Sequence, residues 1–272
     1  MLAGRSWQMN MHPLSYREIT DFDLVKYINI GGLPSVYTSQ YPELELKNYV
    51  NLYLYQEVMA EALTRNIVGF SNFLDLACLS VTEEINYESL ASDSGLSTST
   101  VKNYFQVLED TLVGYLLPAY TKTKKRKAIS RSKFYFFDVG VSNYIARRKN
   151  IELKSELFGK VFEQFIFQEI ICAKNYLNKN CEIKYWRSTS QFEVDFIIDN
   201  NEFKNNYAIE VKATESVNAH HLKGLLALQE ENQIQNLIVV SQDKKTRKLE
   251  NGIIVLPWKA FLDRLWAGDF FV

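Results

Sequence analysis

Acidic residues and one lysine in the C-terminal half of the chain have the residue types of a metal-dependent hydrolytic site. Asp195 lies in a segment in which polar and apolar residues alternate, and Glu210 and Lys212 lie in the next such segment. If these segments form a hairpin centred near residues 202 and 203, Asp195 lies opposite Glu210, with Cβ atoms about 5 Å apart. Two ionised carboxylates at that distance repel each other, so such a pair persists when one is protonated or a cation lies between them.

Glu163 is a third carboxylate, and it lies within the apolar stripe of a predicted helix. At about 100° per residue, it falls between Ile166 and Phe167 on the helix surface. We therefore expect its side chain to face the core and to need a partner there. The alternative is a carboxylate at the edge of the stripe that reaches water.

Together these residues predict a magnesium site. Mg²⁺ prefers oxygen ligands, and Glu163, Asp195 and Glu210 supply carboxylates. The ion would polarise a phosphoryl oxygen and help to generate hydroxide, while Lys212 would position the water or stabilise charge. The alternative is ordinary cross-strand charge pairing on an exposed face, because a Glu-x-Lys triplet is common.

Alternation and helical periodicity indicate the elements that must position these residues. A long helix is predicted to precede two strands joined by a hairpin, and a helix and two further strands follow. In chain order these elements span residues 155–175, 191–198, 207–212, 219–228, 237–240 and 252–256. Trp186 is predicted to be a core residue, and the alternative is that Trp186 and Arg187 stack on or clamp a nucleotide.

The region from residue 26 to about 150 is predicted to be mainly helical. Residues 44–73 carry apolar residues at helical spacing, with an interruption expected at residues 67–70, and residues 74–81 predict another helix. The Gly31-Gly32 pair is expected to shape a tight turn rather than to bind phosphate.

A helix-turn-helix pattern follows at residues 86–105. Gly95 lies in the predicted turn, and Ser97 is a natural N-cap because its hydroxyl can accept from a free backbone N–H of the next turn. The second helix carries the polar residues that would contact nucleic acid: Thr98, Ser99, Thr100, Lys102 and Asn103.

Two predicted strands, residues 113–120 and 134–137, would complete a winged helix. Seven Lys or Arg residues and no acidic residue lie from Lys122 to Lys133. Basic side chains bind phosphates and release counterions whatever the base sequence. The wing residues expected to contact nucleic acid are Lys122, Lys124, Lys125, Arg126, Lys127 and Arg131. The alternative is a solvated hairpin tip on a helical packing module that mediates protein contacts.

The amino-acid composition limits the classes of protein to which the chain can belong. The chain has 272 residues, 47% hydrophobic and 23% charged, with a net charge of −1. These values are typical of a folded protein of about two domains and exclude disordered, collagenous and coiled-coil classes for the whole chain. A globally basic nucleic-acid protein is not indicated. Three cysteines without a CxxC pair, no apolar run long enough for a bilayer and no signal peptide predict a cytoplasmic protein without membrane contact.

The spacing of the acidic residues resembles that of a nuclease superfamily. Asp195, then Glu210-Val211-Lys212 fifteen residues later, with Glu163 on the leading helix, resembles the PD-(D/E)xK nucleases. The resemblance implies catalytic roles for Glu163, Asp195, Glu210 and Lys212, with the three carboxylates as Mg²⁺ ligands. One departure is that Val194, and not proline, precedes Asp195.

Nearly the whole chain also resembles the C-terminal region of a family of bacterial and archaeal AAA+-like ATPases. The resemblance implies a winged helix followed by a PD-(D/E)xK-like domain of unknown function. The stretches that carry it, besides the helix-turn-helix, are residues 2–5, 13–19, 31–36, 133–140, 159–163, 185–187, 193–196 and 210–212.

A P-loop ATPase domain normally begins members of that family, and this chain has no G-x-x-x-x-G-K-[ST] motif. The resemblance identifies residues 1–25 as the end of such a domain, with Arg5 near a nucleotide. We therefore expect a fragment or the product of a truncated gene. It would have no ATP site of its own, and its partner would be an ATPase domain or subunit.

The sequence thus predicts a multidomain α+β protein. Its parts would be an ATPase remnant, a helical region with a winged helix, and a nuclease-like α/β domain, over residues 1–25, 26–150 and 151–272. The function expected is nucleic-acid binding, most simply to DNA, in a module driven by an ATPase. The alternatives are an active Mg²⁺-dependent nuclease and a protein-interaction module without nucleic acid.

Overall fold

A computed structural model describes residues 9–61, 66–201, 205–231 and 234–271. The protein is a mixed α+β structure with a two-stranded and a six-stranded sheet among these residues, which confirms the predicted α+β class. Two sequence features lie outside the described residues, namely the stretch 2–5 that resembles the end of an ATPase domain and the hairpin centre at residues 202 and 203.

Short helices form the N-terminal region. They are α1 (Leu24–Ile30), α2 (Pro34–Tyr37), α3 (Pro42–Asn48), a π-helical turn (Tyr49–Leu54), α4 (Tyr55–Glu61) and α5 (Ile67–Leu79). The prediction of a separate helix over residues 74–81 is wrong, because α5 continues without a break from residue 67 to residue 79. The interruption expected at residues 67–70 lies at the first turn of α5, directly after the non-helical residue Asn66. Asn66 caps α5 by accepting from the Gly69 N–H, and Gly69 allows close packing, since a Cβ there would lie 2.7 Å from Leu96.

The predicted helix-turn-helix is confirmed as α6 (Tyr87–Ser94) and α7 (Thr98–Asp110). Gly95 takes the left-handed conformation at φ 69°, where glycine has no steric penalty. The Ser97 hydroxyl accepts from the Thr100 N–H at 3.1 Å, which confirms the predicted N-cap.

Strands β1 (Gly114–Leu117) and β2 (Lys133–Phe136) pair in antiparallel fashion, and α8 (Val139–Ile145) follows. Successive side chains of β2 point to opposite sides of the strand. Phe134 and Phe136 lie in the core of the helical region, and Tyr135 lies in a second core. The first strand is shorter than predicted because residues 118–120 pair with another part of the chain. The Tyr120 N–H donates to the Tyr185 carbonyl at 2.6 Å.

The C-terminal half begins with α9 (Glu156–Tyr176), close to the predicted helix. Six strands follow, namely β3 (Glu182–Arg187), β4 (Glu193–Asp199), β5 (Tyr207–Lys212), β6 (Asn236–Ser241), β7 (Arg247–Lys248) and β8 (Ile254–Pro257). Their order is β3-β4-β5-β6-β8-β7, and β5, β6 and β8 are mutually parallel. Helices α10 (Lys223–Gln229) and α11 (Trp258–Ala267) complete this half. No helix in the described part of the chain is long and apolar enough to span a bilayer.

Two cores lie on opposite faces of the large sheet. Helices α9 and α11 pack through Phe162 and Phe261 on the face that carries Ile209. Helix α10 packs through Leu225 on the other face, against Val194. Trp186 is fully buried in this second core, as predicted.

Asp138 connects α1 to α8 through the Gly31-Gly32 turn. Its carboxylate accepts from the Gly32 N–H at 2.7 Å and from the Val141 N–H at 2.9 Å. A Cβ atom at Gly31 would lie 2.0 Å from this carboxylate, and Gly31 has a positive φ of 76°. The pair therefore shapes a turn around a buried acid, as predicted.

Candidate functional site

The β4–β5 hairpin brings Asp195 and Glu210 together as predicted. Phe196 pairs with Ile209, and Asp195 and Glu210 are the next residues along the two strands. Asp195 Oδ2 accepts from the Val211 N–H at 2.7 Å, so its carboxylate lies beside β5.

Glu163 reaches the same place from α9. Its Oε1 accepts from the Tyr135 hydroxyl at 2.6 Å and from Lys133 Nζ at 3.3 Å. The expectation that this carboxylate needs a partner is confirmed. Burial raises the pKa of Glu163 to about 7, and Lys133 opposes that rise.

Lys133 is the cation at the centre of these acids. Its side chain is only 2% exposed, and its ammonium group lies 3.3 Å from Glu163, 3.9 Å from Asp195 Oδ1 and in direct ion-pair contact with Glu193. Burial disfavours the charged form, but the carboxylates of Glu163, Asp195 and Glu193 outweigh it and raise the pKa of Lys133. The side chain is therefore an ammonium ion at any physiological pH.

Lys212 pairs with Glu210 at 2.5 Å between Nζ and Oε1. The other oxygen, Glu210 Oε2, is buried and accepts no hydrogen bond from the residues that the structure describes. Burial and the neighbouring Asp195 raise the pKa of Glu210 well above its ordinary value. Burial opposes the charge of Lys212, whereas Asp195 and Glu210 raise its pKa.

The carboxylate cluster, defined as Glu163, Glu193, Asp195 and Glu210, is thus neutralised by side chains of the chain itself. Arg187 adds a further cation, 3.4 Å from Glu193 and 3.3 Å from Glu84 of the helical region. Within the described residues, no group of three or more acidic, histidine or cysteine side chains is placed to hold a metal ion. The oxygen ligands have the chemistry that Mg²⁺ prefers, but with Lys133 among them they do not fit a divalent ion.

Sequence reasoning missed Lys133, Tyr135 and Glu193 as members of this site. The sequence of each strand nevertheless has a pattern that could have identified these residues. Lys133 and Tyr135 alternate with two phenylalanines in β2, and Glu193 shares the alternation of Asp195 in β4. A lysine that begins a buried strand needs carboxylate partners.

The predicted wing is a strap, residues 118–132, that lies along β3. Ala119 and Ala128 form isolated bridges with Tyr185 and Ser188. The Glu231 carboxylate accepts from the backbone N–H groups of residues 124, 125 and 126 at 2.8, 2.7 and 3.0 Å. The backbone of a solvated hairpin tip would lack these contacts, so the segment is docked on the α/β half.

Docking uses part of the basic charge of the strap. Lys122 pairs with Asp199 at 2.8 Å, and Arg126 pairs with Glu230 at 2.5 Å and with Glu231 at 3.5 Å. Four exposed basic side chains form no ion pair within the described part of the chain, namely Lys124, Lys125, Lys127 and Arg131.

Helix α7 presents a polar face to solvent. Ser99, Lys102 and Asn103 are exposed, whereas Thr98 and Thr100 are half-buried at the helix start. The Lys102 ammonium lies 5.4 Å from the centre of the Tyr87 ring. Three of the five predicted contact residues are therefore fully accessible.

A cleft of 690 Å³ lies elsewhere, among α1, α3, α5 and α8. Its apolar floor includes Leu46 and Val50, and its rim includes Asp75, Arg147 and Arg148. No residue predicted to act in catalysis or in nucleic-acid contact lines it.

Comparison with known proteins places two family matches on the chain. Residues 21–152 match a domain of unknown function (DUF8612), and residues 158–261 match a second domain of unknown function (DUF4143). The chain is similar to an uncharacterized protein, MJ1637, of Methanocaldococcus jannaschii, with 24% identity over 257 residues. That match covers 91% of this chain and 50% of the archaeal protein, so the chain spans about half the length of this relative. No solved structure matches.

Proposed function

We propose that the chain is a nucleic-acid-binding module that combines a winged helix with a nuclease-like α/β domain and works with an AAA+-like ATPase. The ATPase would be a further domain or a subunit. DNA is the expected ligand, and the helix-turn-helix with the strap supplies the contacts.

The exposed face of α7 is the observation that carries this proposal. Its other face packs in the helical core through Val101, Tyr104, Phe105 and Leu108. Lys102 and Asn103 are therefore exposed and accessible to a binding partner. A lysine suits phosphate, and an amide suits base edges in the major groove.

Exposed cations of the strap support a phosphate-binding surface. Lys124, Lys127 and Arg131 are exposed on a segment whose backbone is held by Glu231, and the exposed Lys125 donates from Nζ to the Glu230 carbonyl at 2.6 Å. A docked backbone lowers the entropy lost when these side chains bind phosphates.

An active Mg²⁺-dependent nuclease is the second candidate function. The buried Glu210 Oε2 beside Asp195 favours it, because this oxygen accepts no hydrogen bond from the described residues, although Lys212 pairs with Oε1 of the same carboxylate. Since Lys133 lies among the same carboxylates, we assign no step of metal-assisted hydrolysis to this arrangement.

Fluorescence anisotropy with a labelled DNA duplex tests the proposal. We expect binding that weakens with salt, and replacing Lys124, Lys125 and Lys127 by alanine should lower the slope of log K against log salt by about 3, at roughly 0.9 per phosphate contact. Lys102→Ala/Asn103→Ala should lower the affinity as well. The matched control replaces Lys47, Lys149 and Lys154, three exposed lysines outside the strap, and should leave the slope unchanged.

Asp195→Ala separates the candidate functions in the same samples. DNA binding that survives this change, with plasmid left intact in Mg²⁺ or Mn²⁺, supports the binding module. Plasmid nicking that disappears in Asp195→Ala supports the nuclease. Absence of salt-dependent DNA binding contradicts both and favours a protein-interaction role.

A further inference from the structure

The carboxylates and the cation at the centre of the site come from different halves of the molecule. Glu163, Glu193 and Asp195 belong to α9 and β4, whereas Lys133 is the first residue of β2, directly after the strap. A second ion pair crosses the same boundary, because Glu84 precedes α6 and contacts Arg187 of β3.

We infer that Lys133 is the resident cation of the carboxylate cluster, and that its ammonium group and a divalent metal ion exclude each other there. The inference goes beyond nucleic-acid binding. It states what occupies the cluster and identifies β2 of the helical region as the element that must move before a metal ion binds.

Geometry supports mutual exclusion. The ammonium group lies within 3.9 Å of three carboxylates, and the Lys133 side chain is only 2% exposed. A metal ion bound to Glu163 Oε1 at about 2.1 Å would lie within about 5.4 Å of this ammonium, and two cations repel each other at that distance in a buried site. Glu163 is also committed to the Tyr135 hydroxyl at 2.6 Å.

A second observation concerns Glu210, whose Oε1 atom pairs with Lys212. Glu210 is 6% exposed, and its Oε2 atom has no hydrogen-bond partner among the described residues. Once the Lys133 ammonium is removed, Glu163 and Asp195 lose the cation that they share, while Lys212 stays paired with Glu210 Oε1. The freed carboxylate oxygens are ligands that a hard divalent ion prefers.

Titration of Mn²⁺ into the wild-type chain and Lys133→Met by isothermal calorimetry tests the inference. Methionine keeps the length and apolar stem of lysine but removes the charge. We expect Lys133→Met to bind one Mn²⁺ at least about tenfold more tightly than the wild type, a difference of about 1.4 kcal/mol. Lys133→Met/Asp195→Asn should lose this gain. Lys160→Met, which removes an exposed lysine paired with Glu83, should bind like the wild type.

Wild-type protein that binds one Mn²⁺ as tightly as Lys133→Met overturns the inference. If Lys133→Met unfolds without metal and Mn²⁺ restores its circular dichroism, the inference is supported. If Lys133→Met stays unfolded in the presence of Mn²⁺, NMR spectra of the wild type with Mn²⁺ test the inference instead. Stoichiometric Mn²⁺ broadening of the Val211 amide, which contacts Asp195, overturns the inference, and an unaffected amide supports it. No readout uses DNA, so failure here is distinct from failure of nucleic-acid binding.

Discussion

Glu169 on α9 is a buried carboxylate that does not belong to the carboxylate cluster. Its two oxygens accept from the Tyr16 N–H at 2.7 Å and from the Trp266 indole N–H at 2.8 Å. It therefore ties the N-terminal segment and α11 to the same helix. Burial raises the pKa of Glu169 from 4.5 to about 7, although both hydrogen bonds oppose that rise.

This pKa predicts a pH-dependent stability. Because the folded pKa lies above the unfolded one, the folded state binds the proton more tightly, and the stabilisation present below pH 4.5 is lost as pH rises to about 7. The loss amounts to up to about 3 kcal/mol. Urea unfolding at about pH 5 and about pH 8 should show that Glu169→Gln is less stable than the wild type by a larger margin at the lower pH, since Gln does not titrate. An equal margin at both pH values would contradict the shift.

At the scale of elements, α10 determines where β4 holds Glu193. Gly224 faces the β4 backbone so closely that a Cβ atom would lie 1.7 Å from the Glu193 carbonyl oxygen. Any side chain at this position must push α10 and β4 apart. Gly159 in α9 provides the contrasting case, because outside its own helix backbone and chain neighbours no atom of the described residues lies within 4 Å of a Cβ placed there.

Alanine at these two glycines should have opposite effects on stability. Gly224→Ala should destabilise the protein by about 1–3 kcal/mol through overpacking, and it should shift the NMR signals of Glu193 and Lys133. Gly159→Ala should stabilise it by about 0.5–1 kcal/mol, because alanine is the better helix former. Denaturant unfolding measures both changes, and equal stability of the two variants would show that the α10–β4 contact relaxes freely.

At the scale of the whole molecule, the two halves share a core. Tyr27 of α1 and Val139 of α8 are buried in the same apolar cluster as Phe165 of α9 and Phe261 of α11. The strap adds polar contacts to β3 and Glu231 across the same boundary. The predicted division near residue 150 therefore does not separate independent cores.

A core substitution in the helical half should consequently unfold both halves together. Phe73 is fully buried there, and Phe73→Ala should cost about 3–5 kcal/mol. The described tryptophans, Trp186, Trp258 and Trp266, all lie in the C-terminal half. Unfolding followed by tryptophan fluorescence and by far-ultraviolet circular dichroism should shift by the same amount. A shift seen by circular dichroism alone would show that the halves unfold separately.

Local patterns in the sequence predicted the elements of the site well. A short polar connection predicted the pairing of β4 with β5 and hence the approach of Asp195 to Glu210. Strict alternation in β4 was not predicted correctly, because a register shift against β3 places Val194 and Phe196 in different cores. Helical periodicity predicted α9 within about one residue at each end. The Ser97 cap and the Gly95 turn were predictable because both depend on backbone geometry within a few residues.

Only the tertiary structure determines which charged side chains form ion pairs. Lys133 is 30 residues from Glu163 in sequence, and Lys124 is 107 residues from Glu231. A run of basic residues predicts an exposed cationic surface, because charge favours water unless a partner is present. Only the packing of β2 on α9 and of the strap on β3 and Glu231 supplies those partners. The sequence determined that carboxylates from α9, β4 and β5 converge, and the packing decided that a lysine of the other half lies among them.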